Sequence, residues 1–343
     1  MKFSFPSLGG ILCLFLLASF TGLKAQIEPI NCSDTSFCVP GVIGMPRSKG
    51  LVFLREQVLD YGIRSNSKEV GLANGSGEVR KNRRYRFKLR APLVMRRNIK
   101  VALGFDYYVE EYRFDDLNQV DYPLYLSLED KSLKSIGSTL YIVKPFRGNR
   151  YFLFRGNGSL NGDYGTSDLP TADFLRFSLS PLYGIKRNER VSYAFGAAFS
   201  YTFGRPVVYP VFAYNKTWNN RWGVEALLPA RVWLRYTYND RNLVYAKVGF
   251  AGASYNVQLQ DSTLLSRESL HLEKSELRYL LTYEREIYDF LWVGLEAGWR
   301  SNLEFSLTDV RGTQRDLLID NRLNHAFMFN FSIFIVPPRS MLE

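Results

Sequence analysis

The chain reads as an all-β protein: a transmembrane antiparallel up-and-down β-barrel of about 12 to 14 strands, with 14 preferred. Three observations carry this. From Leu51 to Ile335, segments of about ten residues alternate apolar and polar side chains with period two. The connections between them are alternately short and long. After Ala25 no stretch approaches the run of about 20 apolar residues that a membrane helix needs.

The N-terminus explains how such a chain reaches a membrane. Met1-Lys2, the apolar stretch Ile11 to Phe20, and Gly22-Leu23-Lys24-Ala25 have the charged, apolar and small-residue order of a signal peptide. Residues 1–25 are therefore expected to be removed, 26–50 to form a short periplasmic segment, 51–336 the barrel and 337–343 a tail. Cys13 follows bulky Leu12, where a lipidation site needs a small residue, so no lipid anchor is expected. Of the 3 cysteines, Cys32 and Cys38 survive cleavage and are expected to pair in the oxidising envelope. The net charge of +11 would suit nucleic acid, but export removes the chain from it.

The segments are best seen from Val191 to Phe203. Val191, Tyr193, Phe195, Ala197, Phe199, Tyr201 and Phe203 share one face; Ser192, Ala194, Gly196, Ala198, Ser200 and Thr202 share the other. Aromatics at 15% with a mean hydropathy of only −0.16 suit strands with one lipid face and one wet face. A soluble sandwich strand would alternate in the same way, so the recurrence of long strands to the chain end decides for a barrel.

Short turns are expected at Arg96–Asn98, Phe146–Asn149, Lys186–Glu189, Thr217–Arg221, Asn239–Asn242 and Glu286–Asp289. Long loops are expected at Ser65–Asn82, Asp115–Leu133, Asn161–Ala172, Gln258–Ser275 and Ser306–Asn324. Both turns flanking 222–238 belong on one side, so Leu228-Pro229-Ala230 must reverse the chain. A second tight hairpin at Gly204-Arg205-Pro206 brings the number to 14, and misreading either gives about 12. The last strand, Ala326–Ile335, puts Phe327, Phe329, Phe331, Ile333 and Ile335 on one face. It resembles the signal read by barrel-insertion machinery, with Val336-Pro337-Pro338 where a terminal aromatic usually stands.

The run from Asn219 to Tyr255, centred on Glu225-Ala226-Leu227-Leu228-Pro229-Ala230 and including Asn242–Ala246 and Gly252–Tyr255, resembles a family of Gram-negative outer-membrane β-barrels described as a domain of unknown function. The resemblance implies the fold and an outer-membrane location, with membrane lipid and lipopolysaccharide as surroundings. It implies no activity and no catalytic residues.

The candidate chemistry lies on the inward face. Arg84, Arg86, Lys88 and Arg90 alternate with Tyr85, Phe87 and Leu89. A midplane cation facing lipid costs about 2 to 4 kcal/mol, so all four should face the lumen. With the turn at Arg96–Asn98, Lys88 falls opposite Asp106 and Arg84 opposite Glu110; Arg86 and Arg90, opposite Tyr108 and Gly104, are left for a solute or another strand. Lys100, Arg155, Arg176, Lys186, Arg231, Arg235, Arg278 and Arg300 extend this basic side, against Glu225, Glu284 and Glu296. The anion-binding candidates are Arg84, Arg86, Lys88, Arg90, Arg176, Arg231, Arg235 and Arg300. The salt-bridge candidates are Asp106, Glu110, Glu225 and Glu296.

Three functional classes follow. The first is a passive channel or binding pore for small anionic solutes, with Ser192, Gly196, Ala198, Ser200, Gly294 and Gly298 leaving room in the lumen. The second is a structural or assembly barrel closed by internal salt bridges. The third, a lipid hydrolase, needs a histidine beside a serine nucleophile. The 2 histidines, His271 in a predicted loop and His325 at the start of the last strand, show no such setting, so no enzyme activity is expected. Metal-ligand spacing and phosphate-binding glycine loops are absent, and no cofactor is expected.

Overall fold

In the computed structural model, residues 40–68, 71–115, 122–165, 174–202, 205–259, 270–311 and 314–341 are described. The expected signal peptide and Cys32 and Cys38 lie outside them.

Fourteen antiparallel strands among the described residues close into one barrel. They are β1 (Leu51–Val58, resumed as Tyr61–Ser67), β2 (Gly75–Arg96), β3 (Ile99–Phe114), β4 (Leu133–Pro145), β5 (Arg150–Gly162), β6 (Leu175–Asn188) and β7 (Val191–Thr202). Then come β8 (Arg205–Thr217), β9 (Trp222–Leu228), β10 (Arg231–Asn239), β11 (Asn242–Val257), β12 (Leu270–Glu286), β13 (Leu291–Arg311) and β14 (Gln314–Leu323, resumed as Ala326–Ile335). Each strand pairs with its sequence neighbours. The ring closes between β1 and β14, from Leu51 opposite Ile335 to Ser67 opposite Ile319. Closure removes the unpaired edges that an open sheet would expose.

Period two divides every strand between lumen and exterior. On β14, Met328, Asn330, Ser332 and Phe334 are buried, whereas Phe329, Phe331, Ile333 and Ile335 are exposed. The exterior is accordingly apolar, and exposed Trp218, Trp222, Tyr238, Tyr288 and Phe290 gather near the short turns. An apolar wall with an aromatic girdle is what a lipid surround selects. No helix of the described residues is long and apolar enough to cross a membrane.

The long connections are shorter than the sequence reading gave. β12 begins at Leu270 inside the expected loop 258–275, and β13 and β14 extend to Arg311 and Gln314 inside the expected loop 306–324. His271, placed in a loop by sequence, is buried in β12. In these extensions the alternation is reversed: Leu270, Leu272, Phe305 and Leu307 turn into the capped core and polar residues take the other face, so they do not read as lipid-facing strands.

At this loop end the barrel carries a cap. Helix α1 (Pro123–Asp130) starts at a proline, which suits the first helical turn, and buries Leu124, Tyr125 and Leu128. They join Ile63, Val79, Tyr112, Leu270, Leu272, Phe305, Leu307 and Ile319 in one apolar core. Tyr125 is fixed by a hydrogen bond of 2.6 Å between its hydroxyl and Ser65 Oγ. The lumen of this barrel is therefore not a uniform wet tube.

The small inward residues also behave differently from expectation. A Cβ on Gly184 would collide with the ring of Tyr151, and one on Gly196 with the backbone oxygen of Pro181. A Cβ on Gly298 would collide with the backbone oxygen of Tyr279. Ser192 is fully buried, 2.7 Å from the Tyr151 hydroxyl. These positions make room for packed rings and close strands rather than for solvent, an arrangement in which an aromatic covers a strand glycine.

At the turn end, residues 42–50 form a strap across the mouth. Ile43 donates its N–H to Glu189 O at 2.9 Å, and its carbonyl accepts from Thr217 Oγ1 at 2.6 Å. The strap then crosses to the opposite wall, where Lys49 meets Glu284 at 2.5 Å and Arg47 meets Glu286 at 3.2 Å and Asp289 at 3.0 Å.

Candidate functional site in the barrel lumen

Below the apolar cap lies a belt of buried charge. Arg84 on β2 bonds Glu110 on β3 at 3.0 Å and Glu276 on β12 at 2.6 Å, and it approaches Glu56 on β1 at 3.6 Å. Glu276 also receives Arg278 at 2.5 Å and Arg300 at 3.5 Å. Arg278 reaches Glu56 at 3.2 Å, and Lys274 bonds Glu110. The Arg300 guanidinium sits 4.0 Å over the Tyr61 ring. Strands far apart in sequence are thus tied across the lumen by guanidinium–carboxylate contacts, bidentate between Arg84 and Glu276. Paired in this way, buried charges hold geometry, although Arg300 Nε and Nη2 and Glu56 Oε2 have no hydrogen-bond partner among the described residues; left unpaired, each charge would carry a desolvation penalty of several kcal/mol.

The register is the one the Arg96–Asn98 turn implies: Arg84 opposite Glu110, Arg86 opposite Tyr108, Lys88 opposite Asp106 and Arg90 opposite Gly104. Arg86 nevertheless bonds Asp106 at 3.0 Å, diagonally, while Lys88 stands 3.5 Å from the same carboxylate. Long side chains reach diagonal partners in a sheet, which reading direct opposites overlooks. Glu56, Lys274 and Glu276 were overlooked as well. Glu276 shares parity with Arg278 and Glu284 and could have been found by extending β12 one turn of the alternation further. Glu56 could not, because its inward neighbours Val52, Leu54 and Val58 look like a lipid face.

Arg235 on β10 is enclosed by Glu225 at 3.2 Å and Thr217 at 3.0 Å. Glu296 on β13 holds Lys247 at 2.6 Å and accepts from Thr282 and Asn330. Arg176 on β6 donates to the Ser254 carbonyl at 3.3 Å. Arg84, Arg235 and Arg300 are therefore committed to internal contacts.

The remaining volume is a cavity of about 740 Å³ running from the strap to the upper parts of β6 and β11. Its distinctive lining is cationic. Arg90 lies 4.5 Å and Arg155 6.0 Å from the Tyr141 ring, and Arg231 lies 4.2 Å from the Trp233 ring. None of these three arginines forms an ion pair with a carboxylate among the described residues. They come from β2, β5 and β10, and Arg231 is within electrostatic range of Glu225 as well as of Arg155 and Arg90. Aromatic faces partly offset the charge at each, as a cation over a ring does. Three guanidiniums facing one space present a forked, positively charged surface to any anion that enters. Among the described residues no cluster has the composition of a metal site.

Fold and lumen together define a porin-like β-barrel of the outer-membrane kind with a charged, partly filled interior. The chain belongs to the family "Domain of unknown function (DUF6268)", whose model matches residues 72–311, from the approach to β2 to the end of β13. No curated protein matches it. Among solved structures, a Pseudomonas aeruginosa FadL homologue is similar at 10% identity with a TM-score of 0.40, over 84% of this chain and 90% of that one. The translocator domain of the autotransporter NalP from Neisseria meningitidis matches at 11% identity and a TM-score of 0.33, over 83% and 88%. The Pseudomonas putida toluene transporter TodX matches at 11% and 0.31, over 91% and 98%. Scores this low say nothing about what this barrel carries.

Proposed function

We propose that the protein resides in the outer membrane, short turns toward the periplasm, and that its lumen is a binding pore for small anionic solutes. The carrying observation is the cavity of about 740 Å³ in which Arg90, Arg155 and Arg231 face inward without a carboxylate partner among the described residues. Arg86, Lys88 and Arg176 line the same space and add to its positive potential. Equilibrium binding of inorganic phosphate to the purified, detergent-solubilised barrel tests this. Binding should weaken with salt and fall at least about tenfold in Arg155→Ser and Arg231→Ser, with the heat-modifiable folded form retained. Phosphate binding unchanged in both variants, or undetectable in the parent, overturns the reading.

A second reading, a structural barrel closed by internal salt bridges, is favoured by the belt around Arg84 and Glu276 and by the cap under α1. The two differ in consequence. A purely structural barrel binds no anion, and its lumen arginines matter only for stability.

A further inference from the structure

The wall of the barrel is not equally high all round. β9 has 7 residues and β10 has 9, whereas β8 has 13 and β11 has 16. Leu228 at the tip of β9 pairs with Phe212, and Arg231 at the start of β10 pairs with Gly249. Above those points β8 continues to Arg205 bonded to β7 alone, and β11 continues to Val257 bonded to β12. The ladder is interrupted there by a notch. A strand of 7 residues, tilted as barrel strands are, climbs about 18 Å, whereas the apolar band of an outer-membrane barrel is about 25 Å tall. The tip of the β9–β10 hairpin thus ends inside the apolar band, on the side of the outer leaflet.

The notch has a roof and a sill. Above, β11 leans over to β5: Asn256 pairs with Gly162, Asn161 donates to the Ser254 carbonyl at 3.1 Å, and Asp163 accepts from the Gln258 N–H at 2.9 Å. At the sill stands Arg231, exposed and lining the cavity. The rim is apolar and exposed: Val207, Val208, Phe212, Leu228, Val232 and Phe250. The cavity touches Ala251, Gly252 and Ala253 of β11, on the stretch above Gly249 that the short β9–β10 hairpin leaves unpaired on that side. With Arg231 at the sill, these residues bring the cavity to the β11 side of the opening. Directly upward, in contrast, the apolar core under α1 blocks the way.

We propose that this notch is a lateral portal through which a single-chain anionic amphiphile enters from the outer leaflet, its head held by Arg90, Arg155 and Arg231 and its alkyl chain lying along the apolar rim. The proposal rests on the anion-binding reading of the lumen and adds the class of ligand. A wholly polar solute would have to cross lipid to reach an opening at this depth, whereas an amphiphile is already there. A charged head moving inward over Leu228 and Val232 meets Arg231 first, then the cations of β2 and β5.

The experiment compares n-octyl phosphate with inorganic phosphate and n-octanol, by equilibrium binding to the full-length barrel held in amphipol. Octyl phosphate should bind at least about tenfold more tightly than inorganic phosphate, and octanol not measurably. Gly252→Trp and Val208→Trp fill the portal from its two sides. A Cβ on Gly252 has its nearest neighbour at 3.7 Å, so the wall tolerates the change. Each variant should erase the advantage of the alkyl chain while leaving inorganic phosphate binding intact, and the heat-modifiable form checks folding. If inorganic phosphate binds but the alkyl chain adds nothing, or if both portal variants keep the full advantage, the portal is refuted while the anion site stands. If neither phosphate binds, the anion site and the portal fall together.

Discussion

Glu276 is where a single substitution should do most damage. Its carboxylate touches Arg84 at 2.6 Å and 3.1 Å, Arg278 at 2.5 Å and Arg300 at 3.5 Å, and it is 3% exposed. Glu276→Gln keeps the shape and removes the charge. Around it the belt would change from four cations facing three carboxylates (Arg84, Lys274, Arg278 and Arg300 against Glu56, Glu110 and Glu276) to four facing two. Each close pair is worth about 4 kcal/mol at an effective dielectric near 20, most of it offset by desolvation already incurred on folding. Breaking one buried pair typically costs about 3 to 5 kcal/mol, and a carboxylate shared by three arginines belongs at the upper end of that range. For a chain of this size about 5 kcal/mol lowers the melting temperature by about 10 °C. The assay is the temperature at which the compact band on a semi-native gel converts to the unfolded one. Glu225→Gln, which removes one partner of Arg235 only, is the control and should lose less than half as much. A Glu276→Gln barrel that melts within about 2 °C of the parent, or no lower than Glu225→Gln, would refute the idea that the belt braces the lumen.

Other outcomes follow from different parts of the molecule. Replacing Leu124 and Leu128 together by Asp should loosen the cap and raise single-channel conductance in planar bilayers. The reversal potential under a salt gradient should have the sign for anions, and Arg90→Ser should reduce that preference. Gly298→Val should block assembly, seen as loss of the heat-modifiable band, because a Cβ there meets the backbone oxygen of Tyr279. Slight desolvation of Asp289 is outweighed by the Arg339 N–H and the Arg47 side chain, which hold its carboxyl below the usual range. Its contribution to the strap is therefore present above the ordinary aspartate pKa and lost as pH falls through the lowered one. A fluorophore on residue 46 should report release of the strap only in strong acid, and Asp289→Asn should abolish that transition at every pH. Mass spectrometry of the unreduced protein should show an N-terminus at Gln26 and a bond between Cys32 and Cys38.

The barrel itself was legible because lipid imposes a two-sided test on every residue that crosses it. Val191 to Phe203 shows the alternation directly, and the turn spacing gave about 12 to 14 strands with 14 preferred, the number that the reversal at Leu228-Pro229-Ala230 completes. What was not legible lies where that test ceases. Beyond the apolar band β12 and β13 continue as strands with no lipid face, and their residues read as loop. The inner face obeys no such rule: Val52, Leu54 and Val58 point inward beside Glu56, and the lumen holds an apolar core that hydropathy assigns to the outside. Arg86 shows the finer limit. Alternation gave its face and the turn gave its opposite residue, but its bond to Asp106 depends on a diagonal reach that no register specifies.

Both ends of the described chain meet at one turn. Arg47, four residues before β1, and Arg339, four residues after β14, bind the same two carboxylates: Glu286 at 3.2 Å and 2.6 Å, Asp289 at 3.0 Å and 2.9 Å. Arg47 also donates to the Pro337 carbonyl at 2.7 Å, joining the two ends directly. The acidic turn between β12 and β13 is complete only when the first and last strands are side by side, so it registers that the ring has closed. A chain that inserts with β14 unpaired leaves two carboxylates and two guanidiniums in water without their partners. For the same reason a tag placed directly after Ile335 would compete with Arg339 for that turn, whereas one appended beyond residue 343 would leave the closure intact.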